Sequence, residues 1–155
     1  MVLKLRNAHL DFLFKLLEVE KLGFSDGRKR NKFLKILTES FNDYEKGRKD
    51  LLSKLGKKDE NGQLVINEKK EVEFENEEAK IEFVAELNNL FNELVIIDET
   101  EANKEVLQFV KELVTREEFA KDAKLSGQEV ELLEGILESF KEYGAEQTDS
   151  AAEKS

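Results

Sequence analysis

Between positions 34 and 55 the apolar residues fall at Leu34, Leu37, Phe41, Tyr44, Leu51 and Leu55, and Arg48 takes the one vacant place in the series. Steps of alternately three and four residues, sustained over three repeats, keep these side chains on one side only in an α-helix. Phe33, Ile36 and Leu52 widen the stripe beyond a narrow coiled-coil seam, as in a helix of a bundle. The spacing predicts a helix from about Asp26 to Leu55, capped by Ser25 and on the order of 40–45 Å long at the rise of an α-helix. Proline, which would break such a helix, is absent from the whole chain. Two residues interrupt the pattern. Gly47 costs about 1 kcal/mol in a helix interior. Arg48 marks either a bend against an acidic neighbour or a side chain that snorkels from the edge of the stripe.

Gly56 ends this helix, and Asp59-Glu60-Asn61-Gly62 reads as a turn. Leu64-Val65-Ile66 and Val72-Glu73-Phe74 then suggest a β-hairpin. Asn76 is placed to cap a return helix whose apolar residues Phe83, Leu87, Leu90 and Leu94 step by 4, 3 and 4, reinforced by Val84 and Phe91. The expected fold class is mainly α with a small β component. In this reading an antiparallel helical hairpin, packed near +20° and capped by a β-hairpin, packs with N- and C-terminal helices.

The flanks complete the plan. Val2 to Leu5 alternates apolar and charged residues, as a short strand does, and Val95-Ile96-Ile97 is a β-branched run suited to pair with it. A first helix is expected from Asn7 to about Leu22, with Gly23 at the position following the helix and Phe24 against Val19. Asp98 and Glu101 have capping-box spacing before a helix carrying Val106, Phe109, Val110 and Leu113. Thr115 and Glu118 repeat that spacing before a short turn through Phe119. Ser126 and Glu129 have it again before a last helix that places Val130, Leu133, Ile136, Leu137, Phe140 and Tyr143 on one side and ends at Gly144. Residues 1–144 thus read as a single helical domain. Residues 145–155, without apolar periodicity, read as a disordered acidic tail.

The chemistry available is narrow. There is no cysteine and one histidine, His9, so no thiol nucleophile, disulfide or Cys/His metal set exists. Glutamates at helical spacing, such as Glu82/Glu86 and Glu134/Glu138, lack the Glu-x-x-His pattern of a di-iron bundle and read as solubilising faces. The glycines are scattered singly, with no phosphate loop. The expectation is a binding protein and not an enzyme, with no cofactor. Neither a signal-peptide core nor a run of about 18 apolar residues is present, so the cytoplasm is the expected location and no membrane partner is expected.

Charge is unevenly distributed. Residues 1–58 hold 15 Lys/Arg against 8 Asp/Glu, a balance of +7, and residues 59–155 hold 10 against 27, a balance of −17. The asymmetry reads as two parts attracting each other, as separate partners, or as solvated faces. Within the basic part, Arg28, Lys29, Arg30 and Lys32, with Lys35 a turn further on, crowd the first turns of a helix, where the macrodipole disfavours cations. These five residues form either a docking site for phosphate or an acidic partner, or a solvated patch. Nucleic acid is not the expected ligand, because the overall charge is −10 and no exposed aromatic residues interleave with the basic ones. A homo-oligomer remains open.

The order of these segments resembles a known pattern. It comprises a short strand and helix, the basic helix Arg28-Lys29-Arg30-Asn31-Lys32-Phe33-Leu34-Lys35-Ile36-Leu37, and the turn region Lys57-Lys58-Asp59-Glu60-Asn61-Gly62-Gln63-Leu64-Val65. An acidic return follows, ending in Leu94-Val95-Ile96-Ile97. Over most of residues 1–143 the chain is similar to an uncharacterised family of proteins of this length, encoded by phages and prophages of Gram-positive bacteria. The resemblance brings no catalytic or binding residues. It implies a phage setting in the bacterial host cell; with a long amphipathic hairpin and no visible active site, the expectation is a phage accessory protein acting by contact with a phage or host protein, for example in virion or tail assembly. The rival expectation is a host-directed inhibitor or an acidic nucleic-acid mimic.

Overall fold

A computed structural model describes the backbone of residues 1–153 and the side chains of residues 1–145. The protein is mainly helical, with one two-stranded antiparallel sheet. In chain order the elements are β1 (Val2–Arg6), α1 (Asn7–Glu18), α2 (Phe24–Leu55), α3 (Glu77–Asn92), β2 (Leu94–Asp98), α4 (Lys104–Val114) and α5 (Gly127–Glu153). They form two compact units, one of Met1–Phe41 with Leu94–Ser155, the other of Asn42–Glu93.

The first unit is built on the sheet. β1 and β2 pair from Val2 opposite Asp98 to Arg6 opposite Leu94. The alternation of β1 sends Leu3 and Leu5 into the core and leaves Lys4 and Arg6 outside. α1 and α5 pack with β1, and Leu10, Leu13, Phe33, Leu107, Ile136 and Phe140 fill the space between the elements. α1 follows β1 without a loop. Its first turn is closed by His9, whose Nδ1 accepts the Arg6 N–H at 3.3 Å, the part a glutamate plays in a capping box. The His9 ring is buried, and its Nε2 lies 2.9 Å from where a Cβ on Gly135 of α5 would stand. Only glycine lets the two helices approach there. Tyr143, fully buried on α5, donates from its hydroxyl to Glu99 at 2.6 Å.

Several helix ends differ from the expectations. α1 stops at Glu18, not near Leu22. Val19 is 73% and Phe24 84% exposed, so the expected contact between them is absent. Gly23 instead starts α2, its carbonyl accepting the Gly27 N–H at 2.8 Å, so Ser25 lies inside the helix and does not cap it. The reason is Arg30. Its guanidinium reaches back from α2 to the carbonyls of Leu17, Glu18 and Glu20 and satisfies the end of α1 from outside, where a glycine was expected to do so. Before α4 the capping pair is Thr100 and Asn103, each accepting the other's N–H, and not Asp98 and Glu101. Before α5, Ser126 and Glu129 form the reciprocal capping box. α5 passes through Gly144, which the sequence reading had made its end. A side chain at 144 would meet the ammonium of Lys111. The expected disordered tail falls, from residue 146 on, outside the side chains described.

The second unit contains the C-terminal part of α2, a non-helical tip and α3. Three single antiparallel bridges organise the tip, joining Gly56 to Phe74, Lys58 to Leu64 and Ile66 to Val72. Around them runs a closed circuit. Val65 N–H donates to Lys57 at 2.9 Å, Glu73 N–H to Val65 at 2.9 Å, and Lys57 N–H to Glu73 at 2.8 Å. The participants are eight residues apart. The two links between them are the same five-residue turn. Asp59 Oδ1 accepts from the N–H groups of Asn61 and Gln63, and Asn67 Oδ1 accepts from those of Lys69 and Glu71. The fourth residue of each turn, Gly62 or Lys70, has positive φ, at 77° and 63°. The sequence reading found one hairpin where the chain forms a three-segment ring. Gly56 is buried within it, and a Cβ there would lie 2.6 Å from the Leu52 carbonyl and from Leu64.

Candidate interaction surface

The second unit has few residues in its interior. Its two helices face each other through Tyr44 and Phe91, stacked at 5.2 Å, and through Leu90, which would lie 3.3 Å from a Cβ on Gly47. The glycine that looked like a flaw in α2 is the seat of a leucine from α3. Arg48 lies at the edge of the stripe and holds Glu45 through two contacts of 3.1 Å, which depresses the Glu45 carboxyl below its usual range. This is the snorkelling arrangement, with the aliphatic stem on apolar surface and the charged head at the rim. Nearer the tip, Phe74 and Phe83 meet at 5.2 Å.

Despite these contacts, α3 contributes no fully buried residue. Phe83, Leu87, Leu90 and Phe91 are half-buried, while Ile81 and Val84 stand 61% and 49% exposed. Helical spacing puts Ile81, Val84, Ala85 and Asn88 on one flank of α3. Another flank carries Glu78, Glu82 and Glu86, and Glu93 follows just past the helix end, all exposed. An open cleft of about 730 Å³ lies in this unit. Its floor is Leu52, Val72, Phe74, Phe83 and Leu87, and Arg48, Lys70, Glu73 and Lys80 stand on its rim. The surface combines unburied apolar area with exposed charge.

The five basic residues singled out in the sequence do not act as a group. Arg30 is spent on the end of α1. Lys29 lies over the Phe109 ring, 5.7 Å from its centroid, and Arg28 is 6.0 Å from that of Phe24. Lys32 and Lys35 project into solvent. Local spacing does not reveal the role of Arg30, because its acceptors lie ten to thirteen residues away, in and just after the preceding helix. His9 is buried. Desolvation, with help from the Arg6 charge, lowers its pKa from 6.5. Among the described residues no group of three His, Cys, Asp or Glu is arranged to hold a metal ion, and no helix is long and apolar enough to cross a membrane.

Comparison with curated proteins and with solved structures finds no match to this chain. A family model does match, over residues 1–147. The chain therefore belongs to the family described as protein of unknown function DUF1617.

Proposed function

We propose that the protein acts by protein–protein contact, without catalysis, and that residues Asn42–Glu93 present the contact surface. We read this unit as an antiparallel helical hairpin closed by the β tip. The contacting pairs 44/91 and 47/90 support that reading, since one index falls as the other rises. The observation that carries the function is α3, a sixteen-residue helix with no buried residue and with Ile81 and Val84 facing outward. A helix that buries so little of its own apolar surface gains most from a partner. By the resemblance given above, the setting is a bacterial cell carrying a phage or prophage, and the partner a phage protein, with particle or tail assembly as the process served.

Affinity capture of the full chain from infected or lysogenic cells tests this. A phage structural protein should be recovered by the wild type and lost with Ile81→Glu/Val84→Glu. Recovery of no phage structural protein, or recovery undiminished by the double substitution, overturns the reading.

The flank of Glu78, Glu82 and Glu86 favours a second reading, an acidic mimic of nucleic acid directed at a host enzyme. Residues four apart on a helix are about 6 Å apart along its axis, a spacing that lets a protein stripe present regularly placed negative charge. A mimic competes with DNA and loses affinity steeply with salt. Binding that is indifferent to salt between 50 and 200 mM excludes it.

A further inference from the structure

The two-stranded sheet has an unprotected edge. Glu99 N–H donates to the Met1 carbonyl at 2.8 Å, which sets the phase of the ladder. By alternation Leu3/Ile97 and Leu5/Val95 are the hydrogen-bonded pairs, and Leu94, Ile96 and Asp98 turn their backbone groups away from β1. Among the described residues no strand lies on that side. The Asp98 carbonyl accepts from Asn103 Nδ2 at 2.8 Å, but the N–H and C=O of Ile96 meet no partner among the described residues. The side chains are also unguarded, for Leu94 is 54% and Ile96 58% exposed on the outer face. β2 has no lysine, proline or bulge, the devices by which natural edge strands are kept apart.

We propose that this edge pairs with the same edge of a second copy of the chain, antiparallel and two-fold about Ile96, giving a four-stranded sheet in the order β1, β2, partner β2, partner β1. The charges favour a second copy. With Ile96 opposite Ile96 of the partner subunit, Asp98, the only charged residue of β2, falls opposite an apolar leucine position and never opposite another aspartate. Lys4 and Arg6 stand on the outer face beside Ile96 and Leu94. Arg6 is then two strands from an aspartate of the other copy, roughly 10 Å between backbones at ordinary strand spacing, within reach of an extended arginine. Two such pairs frame an apolar strip of four side chains. This inference is independent of the contact surface on residues Asn42–Glu93.

The chain has no cysteine, which allows a direct test. In a hydrogen-bonded antiparallel pair the Cα atoms are about 5.5 Å apart and the side chains stand further apart than in a non-hydrogen-bonded pair, a gap that a short bifunctional thiol reagent bridges. Ile96→Cys should be joined into a covalent dimer by a short bis-maleimide, while Val130→Cys, exposed on α5, should not. Ile96→Lys, which removes no packed side chain, should raise the dimer dissociation constant at least tenfold by sedimentation, with an unchanged circular dichroism spectrum. A wild-type protein that stays monomeric at the highest soluble concentration overturns the proposal and leaves the edge to a strand of a different protein. So does a dimer insensitive to Ile96→Lys. A dimer lost instead with Ile81→Glu/Val84→Glu places self-association on residues Asn42–Glu93 and also overturns it.

Discussion

Replacing Arg30 by alanine separates a cation that completes the fold from one that waits for a ligand. Its guanidinium is shared by three carbonyls at the end of α1, with Leu17 at 3.4 Å and Glu18 at 3.5 Å. A hydrogen bond from a charged donor is worth about 1.5–3 kcal/mol, and a cation at a helix C-terminus adds about 0.3–1 kcal/mol. Two of the contacts are long and the site is half-exposed, so the lower part of the combined range applies, about 1.8–2.5 kcal/mol. At about 2–4 °C per kcal/mol for a chain of this size, Tm should fall by roughly 4–10 °C. Urea unfolding followed by far-ultraviolet circular dichroism measures the change as a lower midpoint at constant slope. Arg30→Gln, which keeps a neutral donor, should fall between wild type and alanine. Lys32→Ala and Lys35→Ala, at solvated positions of the same helix, should stay within about 0.5 kcal/mol of wild type. If Arg30→Ala is indistinguishable from Lys32→Ala, the guanidinium does not close α1, and the basic segment regains its claim as a docking site.

Other substitutions probe other parts of the molecule. His9 accepts a hydrogen bond that requires it neutral, and its folded pKa lies below 6.5. Its contribution to stability is therefore complete above pH 6.5 and declines as pH falls from there toward the lowered value, because the unfolded chain takes up the proton first. His9→Asn should flatten that part of the stability profile, measured by urea midpoints between pH 5 and 7. Gly56→Ala must displace Leu64, Val72 or the Leu52 carbonyl and should cost about 1–3 kcal/mol by thermal melting. Gly127→Ala, with nothing within 4 Å of the added carbon, should be neutral or stabilising by up to about 1 kcal/mol in the same assay. Asn76→Ala removes the 2.8 Å cap on Ala79 N–H and should cost about 1 kcal/mol, with amide exchange accelerated in the first turn of α3.

What could be read without coordinates followed from periodicity and local chemistry. The stripes of α2 and α3, the alternation of β1 and the Ser126/Glu129 box all depend on residues within a few positions of one another. Features closed by distant residues were missed. Gly23 looked like a helix terminator because nothing local shows that Arg30 reaches back to α1. Arg30 in turn looked like one of five equivalent cations. Gly47 was read as a weakness, because Leu90, which rests on it, is more than forty residues further along. The tip did leave a trace. Asp59-Glu60 and Asn67-Glu68 recur eight residues apart, each five residues before an apolar Leu64 or Val72, a short repeat hidden by the single hairpin it resembles. The unburied flank of α3 was not legible, since an amphipathic stripe does not reveal how deeply its partner covers it.

The ring at the tip has a consequence for how the chain reaches its final form. Its two pentapeptide turns need only neighbouring residues, whereas the link from Lys57 to Glu73 joins residues sixteen apart, one just after α2 and the other shortly before α3. Closing it holds the end of α2 close to the start of α3. Once made, it leaves the backbone groups of Lys57, Val65 and Glu73 nothing to offer an incoming strand, so this end of the molecule seals as it folds.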